Sequence, residues 1–405
     1  MNTYTDYKLR IFPINGDGTP CEIDRAQSVT PTTNLNRERK DELGRDGVVG
    51  YKKGIPQISY ALTQLEYGSF EFWQRITNSE DAETSIDLND FKTSKSDIVA
   101  YLTDDDGTFI GTMHYPKLRV SGFNFTIGTP TDDAQRSFNL VGEKAIQWQG
   151  DNKYYIFVRH EAGSGDDNEI SLATRVPALL PDMDVSGYSD AKKYIYRVLR
   201  FRGTTTTELT VDTDYSYSDA TKILTITSVL TSDVIKVYYT SSTAPATLFT
   251  DNDSDPASIA GDSVVIEIGI GTHVYRLQSI DLGVTFDRTD EGEIGNPEKI
   301  LNSIKSKTVS IKLGRFLDKD LTLEEALRDV VDGYGQIDFS KFVDSVTITA
   351  KIYEDNTQET FKCGFKATGL SSTEIADGAS VQNITTRNFT FEGDSLTITN
   401  NIGSL

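Results

Sequence analysis

The feature that most constrains this chain is a repeat within it. Gln27-Ser28-Val29 recurs as Gln278-Ser279-Ile280, 251 positions further on. At that offset Arg37 meets Arg288, and Glu42-Leu43-Gly44 meets Glu293-Ile294-Gly295. Ile58-Ser59-Tyr60-Ala61-Leu62 likewise meets Val309-Ser310-Ile311-Lys312-Leu313. Small gaps intervene where Val120-Ser121-Gly122 resembles Ala367-Thr368-Gly369. Arg136-Ser137-Phe138 and Gly142 then fall on Arg387-Asn388-Phe389 and Gly393. Chance rarely yields a collinear series that keeps hydrophobic phase, because a one-residue slip turns a strand inside out. Two copies of one unit are expected, at 1–162 and 263–405, with 163–262 between them.

The units read as mainly β. Apolar and polar residues alternate at 8–12, 117–120, 194–198, 223–227, 309–313 and 346–349, as in strands with one buried face. Asn15-Gly16-Asp17-Gly18 and Asp104-Asp105-Asp106-Gly107 read as turns. One short helix is expected per copy. Thr322 and Glu325 have capping-box spacing, Leu323, Ala326, Leu327, Val330 and Val331 share a face, and Gly333 ends it. Its counterpart carries Phe72, Trp73 and Ile76, which places Trp73 in a core; Trp148 stays open between core and exposed sugar-stacking face. Between the copies, Pro177, Pro181, Pro245 and Pro256 flank a stretch whose core, about 188–241, predicts a small sandwich-like (Ig-like) β module.

Residues 30–57 and 281–308 are long polar connections, expected to be loops, and loops of that length tend to carry function. The first sets Arg37, Arg39, Lys40, Arg45, Lys52 and Lys53 against Glu38, Asp41, Glu42 and Asp46, a net charge of +2. The second sets Arg288, Lys299, Lys305 and Lys307 against Asp281, Asp287, Asp290, Glu291, Glu293 and Glu298, a net charge of −2. A positive arm runs against the whole chain, where 61 acidic residues outnumber 40 basic ones and leave a net charge of −21. That excess argues against gripping nucleic acid or an anionic membrane. No apolar run approaches the roughly 18–20 residues that span a bilayer, so no membrane insertion is expected. The polar N-terminus lacks a signal-peptide pattern, and Cys21 and Cys363 are too few for a disulfide scaffold.

Catalytic chemistry is thinly represented. His114, His160 and His273 lie in unrelated segments, and Gly269-Ile270-Gly271 lacks the third glycine of a dinucleotide turn. Asp251, Asp253 and Asp255 alternate as in a calcium loop, but Pro256 stands where glycine belongs and no glutamate occupies the twelfth position. No catalytic, cofactor or metal residue is nominated, and no enzyme is expected.

The repeated strands, the arm with its Glu-(Leu/Ile)-Gly centre, the short helix and the Arg-x-Phe…Gly close of each copy resemble the tail tube (major tail) proteins of long-tailed bacteriophages and related archaeal viruses. The resemblance is to members with two fused tube domains and an extra module. It implies two tandem β-sandwich or barrel-like domains whose inner sheets join neighbours around a channel. Three chains would form a homotrimeric ring of pseudo-six-fold symmetry, and rings would stack in the virion tail after assembly in the host cytoplasm. The middle module would project outwards. Tape measure, tail terminator and distal tail or baseplate proteins would be partners, and DNA would pass through without specific binding during ejection. Arg37, Arg39, Lys40, Glu42, Gly44 and Arg45 would meet Asp287, Arg288, Asp290, Glu291, Glu293 and Gly295 between rings, unlike charges setting register. The alternatives are a virion-surface or baseplate β protein that binds host glycans, and the inner tube of a contractile injection system.

Overall fold

The computed structural model describes the chain apart from residues 1–5, 17, 41–49, 55, 81, 105, 107, 150–152, 164–167, 176–185, 245–256, 270, 293–298, 318–321, 328–338, 340–341 and 379–384. It is mainly β, built of antiparallel sheets with three short α-helices among the described residues. A first strand set comprises β1 (Asp6–Pro13), β2 (Cys21–Glu22), β3 (Ala26–Asn34), β4 (Arg37–Lys40), β5 (Gly50–Lys53) and β6 (Gln57–Leu65). Helix α1 (Phe70–Thr77) follows, then β7 (Ser85–Asp87), β8 (Ser96–Thr103), β9 (Phe109–Ile127), β10 (Gln135–Gly142) and β11 (Ile146–Gln149).

The middle segment holds β12 (Tyr154–Glu161), β13 (Glu169–Ser171), α2 (Asp190–Tyr194), β14 (Ile195–Arg202), β15 (Thr205–Glu208), β16 (Tyr215–Ser218), β17 (Ile223–Ile226) and β18 (Val234–Ser241). The last set is β19 (Val264–Ile268), β20 (Thr272–His273), β21 (Leu277–Gly292), β22 (Lys299–Phe316), α3 (Thr322–Leu327), β23 (Val346–Tyr353), β24 (Phe361–Gly378), β25 (Thr386–Gly393) and β26 (Ser395–Thr399).

In the first set β3-β6-β10-β9 form one sheet and β2-β1-β8-β9-β11 a second, the long β9 serving both. The last set pairs in the same order, β21-β22-β25-β24 and β20-β19-β23-β24-β26. The register slips correspond as well: Ala26/Ser28 with Leu277/Ser279, and the extra residue at Ser121 with that at Thr373. Such bulges bend β9 and β24 from one sheet into the next. They also make Val120 equivalent to Ser372 and Gly122 to Glu374, which corrects the sequence match of Val120 with Ala367. The glycine likeness there is coincidental; strand pairing, not composition, fixes the gap.

The two sets join directly. β9 pairs with β21 from Ile127↔Ile280 to Gly122↔Thr285, giving a continuous eight-stranded sheet, β3-β6-β10-β9-β21-β22-β25-β24. β7 adds to the second sheet of the last set, beside β26, through Ile86↔Ile398. One hydrophobic core runs through both sets. Trp73 is fully buried, edge-on to Phe123 and Phe138 at 5.0 and 5.1 Å and to Phe365 of the other set at 5.8 Å. Helix α1 turns Phe72, Trp73 and Ile76 inward and ends on Asn78 in the left-handed region. In α3, Leu323 and Leu327 are buried as the pattern requires, but Ala326 is exposed and Glu324 buried; Val330, Val331 and Gly333 lie outside the described residues.

Two further expectations change. The connections 30–57 and 281–308 are hairpins, not loops: β3–β6 extends into a β4–β5 tip, and β21–β22 extends through the second stretch. Their period-two alternation continues beneath the polar composition, with Leu282, Val284 and Phe286 all buried. Tyr154-Tyr155-Ile156-Phe157, inside the bounds 1–162 expected for the first copy, belongs to β12, which pairs along its length with β18 of the middle segment. The middle segment is two sheets, β12-β18-β14-β15 and β13-β17-β16, around a core that includes Leu172, Val198, Leu224, Ile235 and Val237.

Candidate assembly surface

The junction between the strand sets shows how this fold joins sheet to sheet. Gly122 lets β9 approach closely, since a Cβ there would lie 2.7 Å from the Val284 carbonyl. Phe286 stacks on Phe91 at 5.3 Å, and Phe91 on Phe123 at 5.5 Å. Arg288 fastens the seam: its Nε donates to the Val120 carbonyl at 2.7 Å and its Nη2 to the Phe91 carbonyl at 2.8 Å. Lys307 Nζ adds a bond of 3.0 Å to Asn89 Oδ1.

The ends of the eight-stranded sheet are β3 and the final stretch of β24. Among the described residues β3 pairs only with β6, and 371–378 of β24 only with β25, so each leaves one edge open. β3 is exposed at every position except the half-buried Val29. Because β3 corresponds to β21 and β24 to β9, the open edges are the same two edges that meet inside the chain. Open edges invite pairing with other chains. Large apolar side chains are exposed beside them: Leu35 is 49% and Phe339 41% exposed, whereas their counterparts Phe286 and Leu88 are 3% and 1% exposed.

Arg37, Arg39 and Lys40 share the exposed strand β4, where Glu38 faces Lys52 in a surface ion pair of 3.5 Å. Glu42, Gly44, Arg45, Glu293 and Gly295 lie outside the described residues. Asp290 and Glu291 stand opposite Asn302 and Leu301 near the second arm's tip, and Asp287 is exposed. Arg288 is committed within the chain, as described above.

A second cluster was not foreseen. The middle module docks on the β2-β1-β8-β9-β11 sheet of the first set through Phe12, Ile14, Val99, Tyr101, Trp148, Tyr155, Leu199 and Tyr238. At its centre Asp97, fully buried, pairs with Arg197, accepts from Tyr155 Oη at 3.2 Å and the Lys117 amide at 2.9 Å, and contacts His114 Nε2 at 3.0 Å. Burial alone would raise the Asp97 pKa, but Arg197 and then His114 outweigh it and hold the carboxyl well below the usual carboxylate range. Burial lowers the His114 pKa despite the carboxylate beside it, so the ring is neutral, with Nε2–H donating to Asp97. Arg197 lies over the Tyr238 ring at 4.5 Å.

Although an acid beside a histidine can serve catalysis, Asp97, His114 and Tyr155 each have no exposed surface. The arrangement is a tie between strands. The last strand set carries Thr347, Thr349, Lys351, Lys366 and Thr399 at the positions of Asp97, Val99, Tyr101, His114 and Trp148, and among the described residues no module sits there. That contrast between copies was the available sequence signal, and it resolves Trp148 as an interface residue.

The Arg of each Arg-x-Phe close also has a buried role. Arg136 contacts Glu66 at 3.4 Å and lies over Tyr67 and Phe72, while Arg387 and Arg315 share Glu324 at 3.2 and 3.0 Å. Glu324 occupies the position of Trp73, and Arg387 is half-buried where its counterpart Arg136 is fully buried. Among the described residues no three His, Cys, Asp or Glu side chains are grouped to hold a metal; the Asp251, Asp253, Asp255 stretch lies outside them. No protein-family model matches the chain, and no curated protein shows significant similarity to it.

Proposed function

We propose that the chain is a structural subunit of a viral tail tube, in which three copies close a ring of six related strand sets and rings stack into a hollow conduit. The observation that carries this reading is the pair of open edges. A chain that joins a β9-type edge to a β21-type edge internally, and keeps one unused edge of each type, is built to repeat that joint with identical chains. Closing a ring removes both open edges of the eight-stranded sheet. In the register of the internal joint, Thr30 to Asn34 of one chain would face Gly378 to Glu374 of the next. Glu374 stands where Gly122 permits close approach, so the joint between chains is wider at that pair.

The acidic balance fits a conduit. Three chains would bring about 63 negative charges to each ring, and a negative wall repels a passing polyanion instead of holding it. Under this reading 6–149 and 264–399 form the wall, and the middle module decorates the first set alone. A glycan-binding role loses its candidates, because Trp73 and Trp148 are both buried.

Negative-stain microscopy of the concentrated protein tests the reading. Rings or hollow tubes with six-fold projections are expected; particles that remain single chains at every concentration and salt would overturn it.

A further inference from the structure

We propose that Leu35 and Arg37 of one chain latch onto a second copy of the chain at Phe342, Ile375 and the carbonyl of Ser372. The latch rests on the ring reading above, and gives its lateral joint a specific fastening. Arm register supports the equivalence. Asn34 faces Gln57 as Thr285 faces Thr308, and Arg37 faces Lys53 as Arg288 faces Ile304, each pair displaced by the repeat offset. Arg37 is therefore the counterpart of Arg288, and Leu35 that of Phe286.

The receiving groups have counterparts too. Val120 corresponds to Ser372 and Phe123 to Ile375 through their shared pairing with β10 and β25. Phe91 corresponds to Phe342, each closing an Ile-Asp-x-x-x-Phe run that begins at Ile86 or Ile337. Inside the chain these groups receive Phe286 and Arg288, and Phe91, Phe123 and Phe286 are all buried. Their counterparts are unsealed: Leu35 is exposed, and Phe342 and Ile375 are half-buried. Arg37 is exposed and makes no side-chain hydrogen bond or ion pair with a described residue. A guanidinium suits the task, because its planar fork donates to two carbonyls at once, which an ammonium on a flexible stem does less well. The latch assigns Arg37 to contact within a ring, leaving Arg39 and Lys40 for contact between rings. In the lone chain β3 ends at Asn34 and Asn36 takes φ 46°, whereas its counterpart β21 is a single strand from Leu277 to Gly292.

The test is a pair of cysteines, Leu35→Cys with Phe342→Cys, in the full chain under mild oxidation. Both native cysteines remain, and each single variant serves as control. The double variant is expected to form covalent dimers and trimers on a non-reducing gel when the protein assembles, and the single variants to form none. Arg37→Ala and Arg37→Lys should each raise the protein concentration for half-maximal ring formation at least tenfold, with an unchanged melting temperature for the monomer. Rings formed by the wild type but no cross-linking in the assembled double variant, or Arg37→Ala assembling like wild type, would overturn the latch and leave the ring reading standing. Failure of the wild-type protein to form rings at all would overturn both.

Discussion

Asp97 of β8 and Arg197 of β14 form a buried ion pair, and through it the middle module is fixed to the first strand set alone. Removing one partner of such a pair strands the other charge in a dry site, which costs about 3–5 kcal/mol. Arg197→Met should destabilise the whole chain by that order in urea denaturation. The double variant Asp97→Leu/Arg197→Met should recover part of the loss, though Tyr155 and the Lys117 amide would still lack their acceptor. Independent, additive effects would show that the pair is no tie.

His114 gives the same interface a pH dependence. Its folded-state pKa is depressed by burial, so the stability it contributes is present above its unfolded value of about 6.5 and is lost as pH falls below it. Asp97 is also depressed, but its contribution starts to fall only below its unfolded value of about 3.9, outside this pH range, and is gone below its folded-state pKa. The melting temperature of the wild-type chain should therefore drop between pH 7.5 and 5. In His114→Gln the drop should be smaller, since the buried ring that must charge is gone. An identical slope would assign the effect elsewhere.

What the sequence disclosed followed its periodicities. Offset matches at Gln27, Ile58 and Arg136 located the strands because sheet registers depend on period two, which gaps in loops do not disturb. The arms were misread because Thr30, Thr32 and Thr33 look like a polar loop, although threonine suits an edge strand. The docking face escaped because Tyr101 and Trp148 are too distant in sequence for any local pattern to unite them with Leu199 and Tyr238. The open edges were invisible for a related reason: which strand lacks a neighbour is a property of the assembled sheet.

Deleting the module tests how far the docking face depends on it. With 153–244 replaced by a short Gly/Ser linker, Val99, Tyr101 and Trp148 become exposed, and a patch of that kind drives aggregation. The truncated chain should be insoluble. Replacing the three by Thr, Lys and Thr, the residues at the equivalent positions of the last set, should restore a soluble protein. A truncated chain that is soluble without these changes would contradict the buried role given to that face.

Gly122 and Glu374 report on the two kinds of joint separately. Gly122→Ala pushes a Cβ to within 2.7 Å of the Val284 carbonyl and must displace β21, a strain of about 1–3 kcal/mol visible in the melting temperature of the isolated chain. Glu374→Gly leaves the isolated chain nearly unchanged but narrows the joint between chains, so rings should form at lower protein concentration. Equal assembly by Glu374→Gly and wild type would mean that the external joint does not follow the internal one.

The basic strand β4 is expected to act between rings. Arg39 and Lys40 are exposed there in a chain of net charge −21, and complementary charge mainly governs the rate and register of association. Arg39→Glu/Lys40→Glu should leave single rings intact, because neither residue belongs to the lateral latch, while shortening the tubes. Raising salt should shorten wild-type tubes towards the length of the variant, since contacts between exposed charges are screened over roughly a Debye length of 8 Å at physiological ionic strength. Tube lengths in negative stain, measured for both proteins across a salt series, decide the matter. Wild-type tubes whose length does not respond to salt, with variant tubes equally long, would remove charge from the stacking contact.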